Sequence, residues 1–293
     1  MRVSLDNLIL YVEDVSAELF NAFRYRLEVA ETYGEIPKVQ FYIGKGISQY
    51  HYNLTVGQGG GAVHIGYKHN GSKERLKGYT LRLEVNPSKQ LSKSVQKGTE
   101  RFADVFAETF MKSRKLIKGV DIAFDVPVPL KDVMPVSLTG RERSIIKGTT
   151  YFGDSGQDGR LKVYDKKKEL QKKQGVQVVE EHLTRIEYSS RLEKPITINS
   201  FGKIENLNIN KLYQVSEMKI EDADPLVKAC IIALNTGQME MKELTRTYQT
   251  KTKKALAAMG LLNLDQNYNN AKKEIMEQIK SYLIVSNDTI LAP

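Results

Sequence analysis

Four acidic residues stand inside runs that alternate as strands do: Glu84 in "LRLEVNP", Asp121 and Asp125 in "VDIAFDV", and Glu187 in "TRIEYSS". Asp121 and Asp125 are four residues apart, so a regular strand turns both to one face. A carboxylate facing a core is costly unless it is paired or bound to a metal. Grouped on adjoining strands, the four would suit Mg²⁺ or Mn²⁺, which prefer carboxylate oxygens. The other reading places them on the solvated face of a one-sided sheet, ion-paired to the many lysines and arginines.

A second group of residues suits phosphate. In "GTTYFGDSGQDGRLKVYDKKKE" (residues 148–169), Arg160 and Lys162 share one strand face, with Tyr164 next in that phase. Lys166, Lys167 and Lys168 follow on a helix. Cations interleaved with an aromatic are what a phosphate backbone with stackable bases requires. The plainer reading of the lysines is a solvated helix face carrying pairs such as Asp165 with Lys168. Gly153, Gly156 and Gly159 allow close backbone approach but form no P-loop, and GxxxxGK[ST] is absent. Near the C-terminal end, "MKELTRTYQTKTKKALAAMG" gathers Lys242, Arg246, Lys251, Lys253 and Lys254 around a turn between two helices, and "TYQTKTKKAL" could open a recognition helix.

Other chemistries have little support. His51, His64, His69 and His182 show no His-x-His or HExxH spacing, and no CxxC exists. The single cysteine, Cys230, lies in "LVKACIIAL" and fits a buried free thiol in a reducing cytoplasm. No apolar run reaches transmembrane length, and the acidic "MRVSLDNLILYVEDV" does not read as a signal peptide.

The elements that must position these residues read as follows. "LILYV" is a short strand, and Ser16–Glu28 has helical spacing. Strands broken by glycine turns follow, including the triple glycine Gly59–Gly61, up to a half-buried strand that ends at Asn86-Pro87. A helix from Ser88 to Lys115 precedes the "VDIAFDV" strand. Thr149–Phe152 and Leu161–Tyr164 are two strands, Asp165–Lys173 is a helix, and "VVEEHLTRIEYSSRLE" is a further strand region. Beyond Phe201 the pattern is helical. The fold class is therefore α+β: a mainly antiparallel sheet core with helices packed on it, plus a helical C-terminal region. The expected domains are 1–205 and 206–293, the second serving DNA binding or oligomerisation. With 293 residues and a net charge of +9, the chain is large enough for a substantial core and basic enough to attract polyanions.

Taken in order, these segments resemble the Rep_trans type of plasmid replication initiators, rolling-circle proteins with relatives among relaxases and filamentous-phage replication proteins. "GVDIAFDV" resembles that family's R-x-D-(aliphatic)-A-x-D strand. "TTYFGDSGQDGRLKVYDKKKE" resembles its T-x-Y-x-G-(turn)-x-R-x-Y-[DE]-K-x-x-E segment, and "HLTRIEYSSRLE" its R-x-E strand. "LRLEVNPSK" is similar to an upstream strand of some members, so the likeness spans residues 80–200.

The resemblance implies a replication initiator that binds origin DNA. In nicking members a tyrosine attacks a phosphodiester, forming a 5′-phosphotyrosine and freeing a 3′-OH, with a divalent metal polarising the phosphate. On that model Glu84, Asp121, Asp125, Glu169 and Glu187 take the carboxylate roles, with Mg²⁺ or Mn²⁺ as cofactor. Arg160, Lys162, Lys166 and Arg185 face phosphate. Where the family carries its tyrosine, this chain has "LEKPITINSF", which contains none. Tyr188 and Tyr213 are the catalytic candidates. Origin DNA is the expected partner, with a host helicase and a second copy of the chain as further ones, and no membrane. A non-catalytic origin- or operator-binding protein on the same fold, and a single-stranded RNA-binding protein, are the readings left beside it.

Overall fold

A computed structural model describes residues 1–43, 52–56, 63–67, 79–87, 93–174, 179–197, 204, 206–217, 224–236, 238–258 and 260–282. Gly59–Gly61, His51 and His69 lie outside the described residues. The fold is α+β, with antiparallel strand pairing, packed helices and a helical C-terminal region, as the sequence patterns indicate. No helix among the described residues is long and apolar enough to cross a membrane.

The chain divides into two compact units. The N-terminal unit comprises Ser4–Ile122, Ser190–Glu205 and Ala271–Pro293; the central unit comprises Met1–Val3, Ala123–Ser189 and Asn206–Asn270. Residues 206–270 share a unit with 123–189 because β12 (Tyr213–Glu217) pairs with β7 (Val133–Ser137).

In the N-terminal unit the strands lie in the order β2 (Val39–Ile43), β3 (Tyr52–Val56), β4 (Val63–Tyr67), β5 (Tyr79–Val85), β1 (Arg2–Glu13), β6 (Lys115–Val126). β6 enters this unit only as far as Ile122, and of β1 all but Arg2 and Val3 belong to it. Leu81, Leu83 and Val85 of β5 are buried in strict alternation, as its sequence requires. Helix α1 (Ala17–Thr32) starts one residue inside the expected position because Ser16 is its cap, with Oγ accepting from Leu19 N–H at 3.1 Å. Its buried face carries Phe20, Phe23, Leu27 and Ala30, and the Phe20 ring stacks on Tyr67 of β4 at 4.1 Å. Helix α2 (Lys93–Thr109) packs Phe102 and Phe106 against Phe23, and Phe110, in the turn just after it, joins them. It ends before Lys115, where the sequence pattern carries it, because Lys115 already opens β6.

Glu84 of β5 belongs to this unit. Its Oε1 accepts from Asn7 Nδ2 at 3.0 Å and its Oε2 lies 2.7 Å from Arg82 Nη2. Burial acts against the Glu84 carboxylate, but Arg82 and the Asn7 donor outweigh it and hold its carboxyl below the ordinary 4.5. A carboxyl depressed in the folded state stabilises fully above its unfolded pKa, and that contribution is lost as pH falls through the lower folded value. Urea unfolding should therefore show stability falling below pH 4.5, with Glu84→Gln flattening that part of the profile. An unchanged acid limb in the variant would remove Glu84 as its source.

In the central unit β11 (Thr184–Ile196), β10 (Arg160–Asp165), β9 (Thr149–Phe152) and β8 (Arg143–Ile146) follow one another in space, and β11 enters it as far as Ser189. The β8–β9 hairpin, which the sequence pattern does not reveal, turns on Lys147-Gly148, both left-handed at φ 51° and 78°. A second sheet takes the order β13 (Gly260–Leu261), β12, β7, with Pro135 tolerated because β7 is an edge. Helix α3 (Lys166–Gln174) follows β10, and the short α4 (Ile209–Leu212) leads into β12. Helices α5 (Pro225–Thr236) and α6 (Arg246–Ala258) pack Val227, Ile231 and Leu256 on Met134 of β7. A 3-10 turn at Met241–Glu243, closed by a Glu240/Glu243 capping box, stands between them. Cys230 is a free thiol and only half-buried on α5, unlike the expected buried one. Helix α7 (Leu264–Ser281) belongs to this unit as far as Asn270.

Arg143 of β8 donates from both terminal nitrogens to the carbonyls of Leu234 and Asn235, at the C-terminal end of α5. Those carbonyls have no partner within the helix, and a cation is favoured there. Arg143→Ala should lower unfolding free energy by roughly 1–3 kcal/mol, with partial recovery in Arg143→Lys. Chemical denaturation reads this directly, and a loss equal in both variants would point to packing rather than the cap.

Candidate nucleic-acid interface

Antiparallel register sets the polar face of the central unit. Lys162 stands opposite Glu187 on β11 and opposite Tyr151 on β9; Tyr164 stands opposite Arg185. Directly paired residues point to the same face. Arg160, Lys162 and Tyr164 of β10 therefore share a face with Tyr151, Arg185 and Glu187, whereas Ile186 and Tyr188 turn to the core.

Asp125, the carboxylate of β6 in this unit, is held by a two-pronged pair. Arg185 Nε lies 2.6 Å from Oδ1 and Nη2 2.7 Å from Oδ2. Glu187 is buried and both of its oxygens are engaged: Lys162 Nζ donates to Oε2 at 2.6 Å and the Tyr164 hydroxyl donates to Oε1. Burial, reinforced by the Glu187 charge, holds the Tyr164 phenol protonated far above its usual range. Lys166, buried at the start of α3, bonds Glu169 Oε2 at 2.7 Å. Lys167 donates to the carbonyls of Glu180 and Glu181, and Lys168 Nζ is 3.5 Å from Asp165.

The four carboxylates of the expected metal centre are each placed against a cation or another donor. Asp121 lies in the N-terminal unit, where Arg191 Nη1 is 2.6 Å from Oδ1 and Nη2 2.9 Å from Oδ2. Glu84 is taken up by Asn7 and Arg82, Asp125 by Arg185, and Glu187 by Lys162 and Tyr164. Each of the four carboxylates thus has a cation within ion-pair distance, three of these cations are arginines, and Asp121 Oδ1 accepts no hydrogen bond. In this arrangement positive charge lies against carboxylate oxygens that a divalent cation would use. Among the described residues no group of three His, Cys, Asp or Glu side chains could hold a metal ion.

The two tyrosines are also placed differently from a presented nucleophile. Tyr213 is fully buried, and its hydroxyl donates to the Gly159 carbonyl at 2.6 Å; burial pushes its pKa up to about 12. Tyr188 is buried on the core face of β11, and burial, with Asp158 nearby, raises its pKa well above the ordinary value. Its hydroxyl lies beside Gly159, where an added Cβ would stand 3.4 Å away. That glycine is left-handed at φ 70°, and the same Cβ would meet Arg141 Nη2 and Leu212 Cδ1 at 3.0 Å. The glycine turn thus serves packing against Arg141 and the two tyrosines.

What remains for a ligand is the β9–β10 part of the face. The Arg160 guanidinium lies over the Tyr151 ring at 4.6 Å, and its buried Nε has no hydrogen-bond partner. Lys162 is one-third exposed and its Nζ is 4.5 Å from the Tyr164 ring centre. Sequence phase located Arg160 and Lys162; the neighbouring role of Tyr151 became visible only with the β9–β10 register. Lys251, Lys253 and Lys254 lie apart from this face in the chain, exposed on α6.

The central unit is thus an α+β unit with a charge-lined, aromatic-bearing sheet face. No protein-family model and no curated protein matches the chain. A solved rolling circle replication initiator protein from Geobacillus stearothermophilus is similar over 97% of this chain and 98% of that one, with 12% sequence identity and a TM-score of 0.42.

Proposed function

We propose that this chain is a replication initiator of a plasmid or related mobile element that binds its origin DNA through the β9–β10 face of the central unit. The observation that carries the reading is the trio Tyr151, Arg160 and Lys162. A cation over an aromatic, beside a second cation, offers both phosphate contact and a stacking surface. The order of the "VDIAFDV", "GRLKVYDKKKE" and "TRIEY" segments, the basis of the family resemblance, supports the same role. Asp125 and Glu187 serve the face as fixed counter-charges: they hold Arg185, Lys162 and Tyr164 in place. Strand transfer by tyrosine belongs to the family's nicking members. Here it would require Tyr188 or Tyr213 to leave the packing described above.

The test is binding of DNA and RNA of matched sequence across a salt series, followed by incubation with supercoiled circles carrying candidate origins and Mg²⁺ or Mn²⁺. Salt-sensitive DNA binding that weakens in Arg160→Ala supports the proposal. Preference for single-stranded RNA, or binding indifferent to salt, overturns it. A denaturant-stable protein–DNA adduct extends the proposal to cutting, and Tyr188→Phe and Tyr213→Phe then identify the tyrosine.

A further inference from the structure

Helix α6 carries a charge pattern that the sheet face does not use. Its sequence, RTYQTKTKKALAA, has four cations and no acid. At about 100° per residue, Arg246, Thr247, Thr250 and Lys254 fall on one side, and all four are exposed. Thr252 and Leu256 fall on the opposite side and are buried, with Tyr248 and Ala255 packed against the cluster of Met134, Val227 and Ile231. Lys251 and Lys253 flank the outward side, one to each edge, and both are exposed. Among the described residues none of Arg246, Lys251, Lys253 and Lys254 forms an ion pair, whereas Lys242 just before the helix pairs with Glu240 at 2.6 Å. Lys251 lies over the Tyr248 ring at 5.5 Å, which draws its stem along the helix edge.

A solvated helix of this length gains nothing for the fold from like charges spaced a turn apart, which repel by a few tenths of a kilocalorie each. The arrangement does match the floor and walls of a duplex groove. The major groove admits one α-helix, base edges lie before its outward face, and a phosphate strand passes on either side. We infer that α6 reads duplex DNA in the major groove. Arg246, Thr247, Thr250 and Lys254 face base edges, and Lys251 and Lys253 contact the two phosphate strands. Arginine at the first turn of the helix suits the bidentate acceptors of guanine. The inference rests on the proposed DNA-binding function and adds a second element with its own ligand, separate from the sheet face.

The experiment selects duplexes from a random-sequence pool with the full chain, then measures the selected duplex and an oligo(dT) single strand over a salt series. The wild-type chain should enrich a sequence containing guanine. Arg246→Ala should weaken the selected duplex by roughly 10- to 100-fold, relax preference at one position and leave oligo(dT) binding unchanged. Lys251→Ala with Lys253→Ala should weaken all duplexes and reduce the salt slope by about one per lysine. All are exposed positions, and thermal unfolding of each variant checks that the helix remains. Duplex binding unaltered in these variants, with oligo(dT) binding retained and dependent on Arg160, overturns this inference alone. Absence of binding to both DNAs overturns the proposed function with it. Selection of no sequence preference, or stronger α6-dependent binding to phosphatidylserine vesicles than to duplex, also overturns the reading of bases.

Discussion

Asp125→Ala should cost about 3–5 kcal/mol of unfolding free energy, the loss typical when one partner of a buried ion pair is removed. Arg185 is only 4% exposed, and its fork meets both Asp125 oxygens. Truncation leaves a guanidinium out of water and without its carboxylate. The attraction that offset the desolvation of Arg185 is lost, while that desolvation remains. Asp125→Asn retains one acceptor and should lose less. Replacing both partners with apolar residues of similar volume should recover most of the stability, because no buried charge then remains. Urea unfolding of the three variants decides the matter: a loss below about 1 kcal/mol in Asp125→Ala would place the pair among weak surface contacts. Mg²⁺ and Mn²⁺ should leave the unfolding transition of the unsubstituted chain in place, since a ligand that binds only the folded state would raise it.

That ion pair also marks the limit of what the sequence discloses. The carboxylates at 84, 121, 125 and 187 and the bases at 160, 162 and 185 all stand out by type and phase. Their pairing does not. Asp125 and Arg185 are sixty residues apart and meet only through tertiary register. A row of acids on strands reads equally as a metal cage or as a row of ion pairs until the register between strands is known. Period-two alternation was legible where one strand face is buried, as in β5 and β10. It was not legible in β7, β8, β12 and β13, which run from two to five residues and include Pro135. Those short strands are what bind residues 206–270 to residues 123–189. Tyr188 illustrates the same point at one residue. It follows Glu187 in sequence, and strand alternation sends it to the core beside Ile186. Helix α6 was legible in outline because amphipathic spacing and charge are local properties. The 3-10 turn that precedes it depends on a capping box, and only its geometry reveals it.

Arg160 and Tyr151 should fail in distinguishable ways, and the difference tests what the sheet face is for. Arg160 carries charge without an acidic partner in the described structure, and its contact is the Tyr151 ring at 4.6 Å. If it meets phosphate, Arg160→Ala lowers single-strand affinity by roughly tenfold or more, the weight of a charge-assisted hydrogen bond. The same change reduces the slope of log affinity against log salt by about 0.7, one released counterion on a single strand. Tyr151→Leu removes a stacking surface worth about 1–3 kcal/mol per base but no charge. Affinity should fall while the salt slope stays constant. Because the guanidinium rests on that ring, the double variant should lose less than the two single losses combined; contacting residues are seldom additive. Equal and purely charge-like losses in both variants would leave the face a solvated patch with no stacking role. A slope that moves with Arg160 alone and an affinity that moves with both identify β9–β10 as a surface that holds a nucleic-acid strand by backbone and base together.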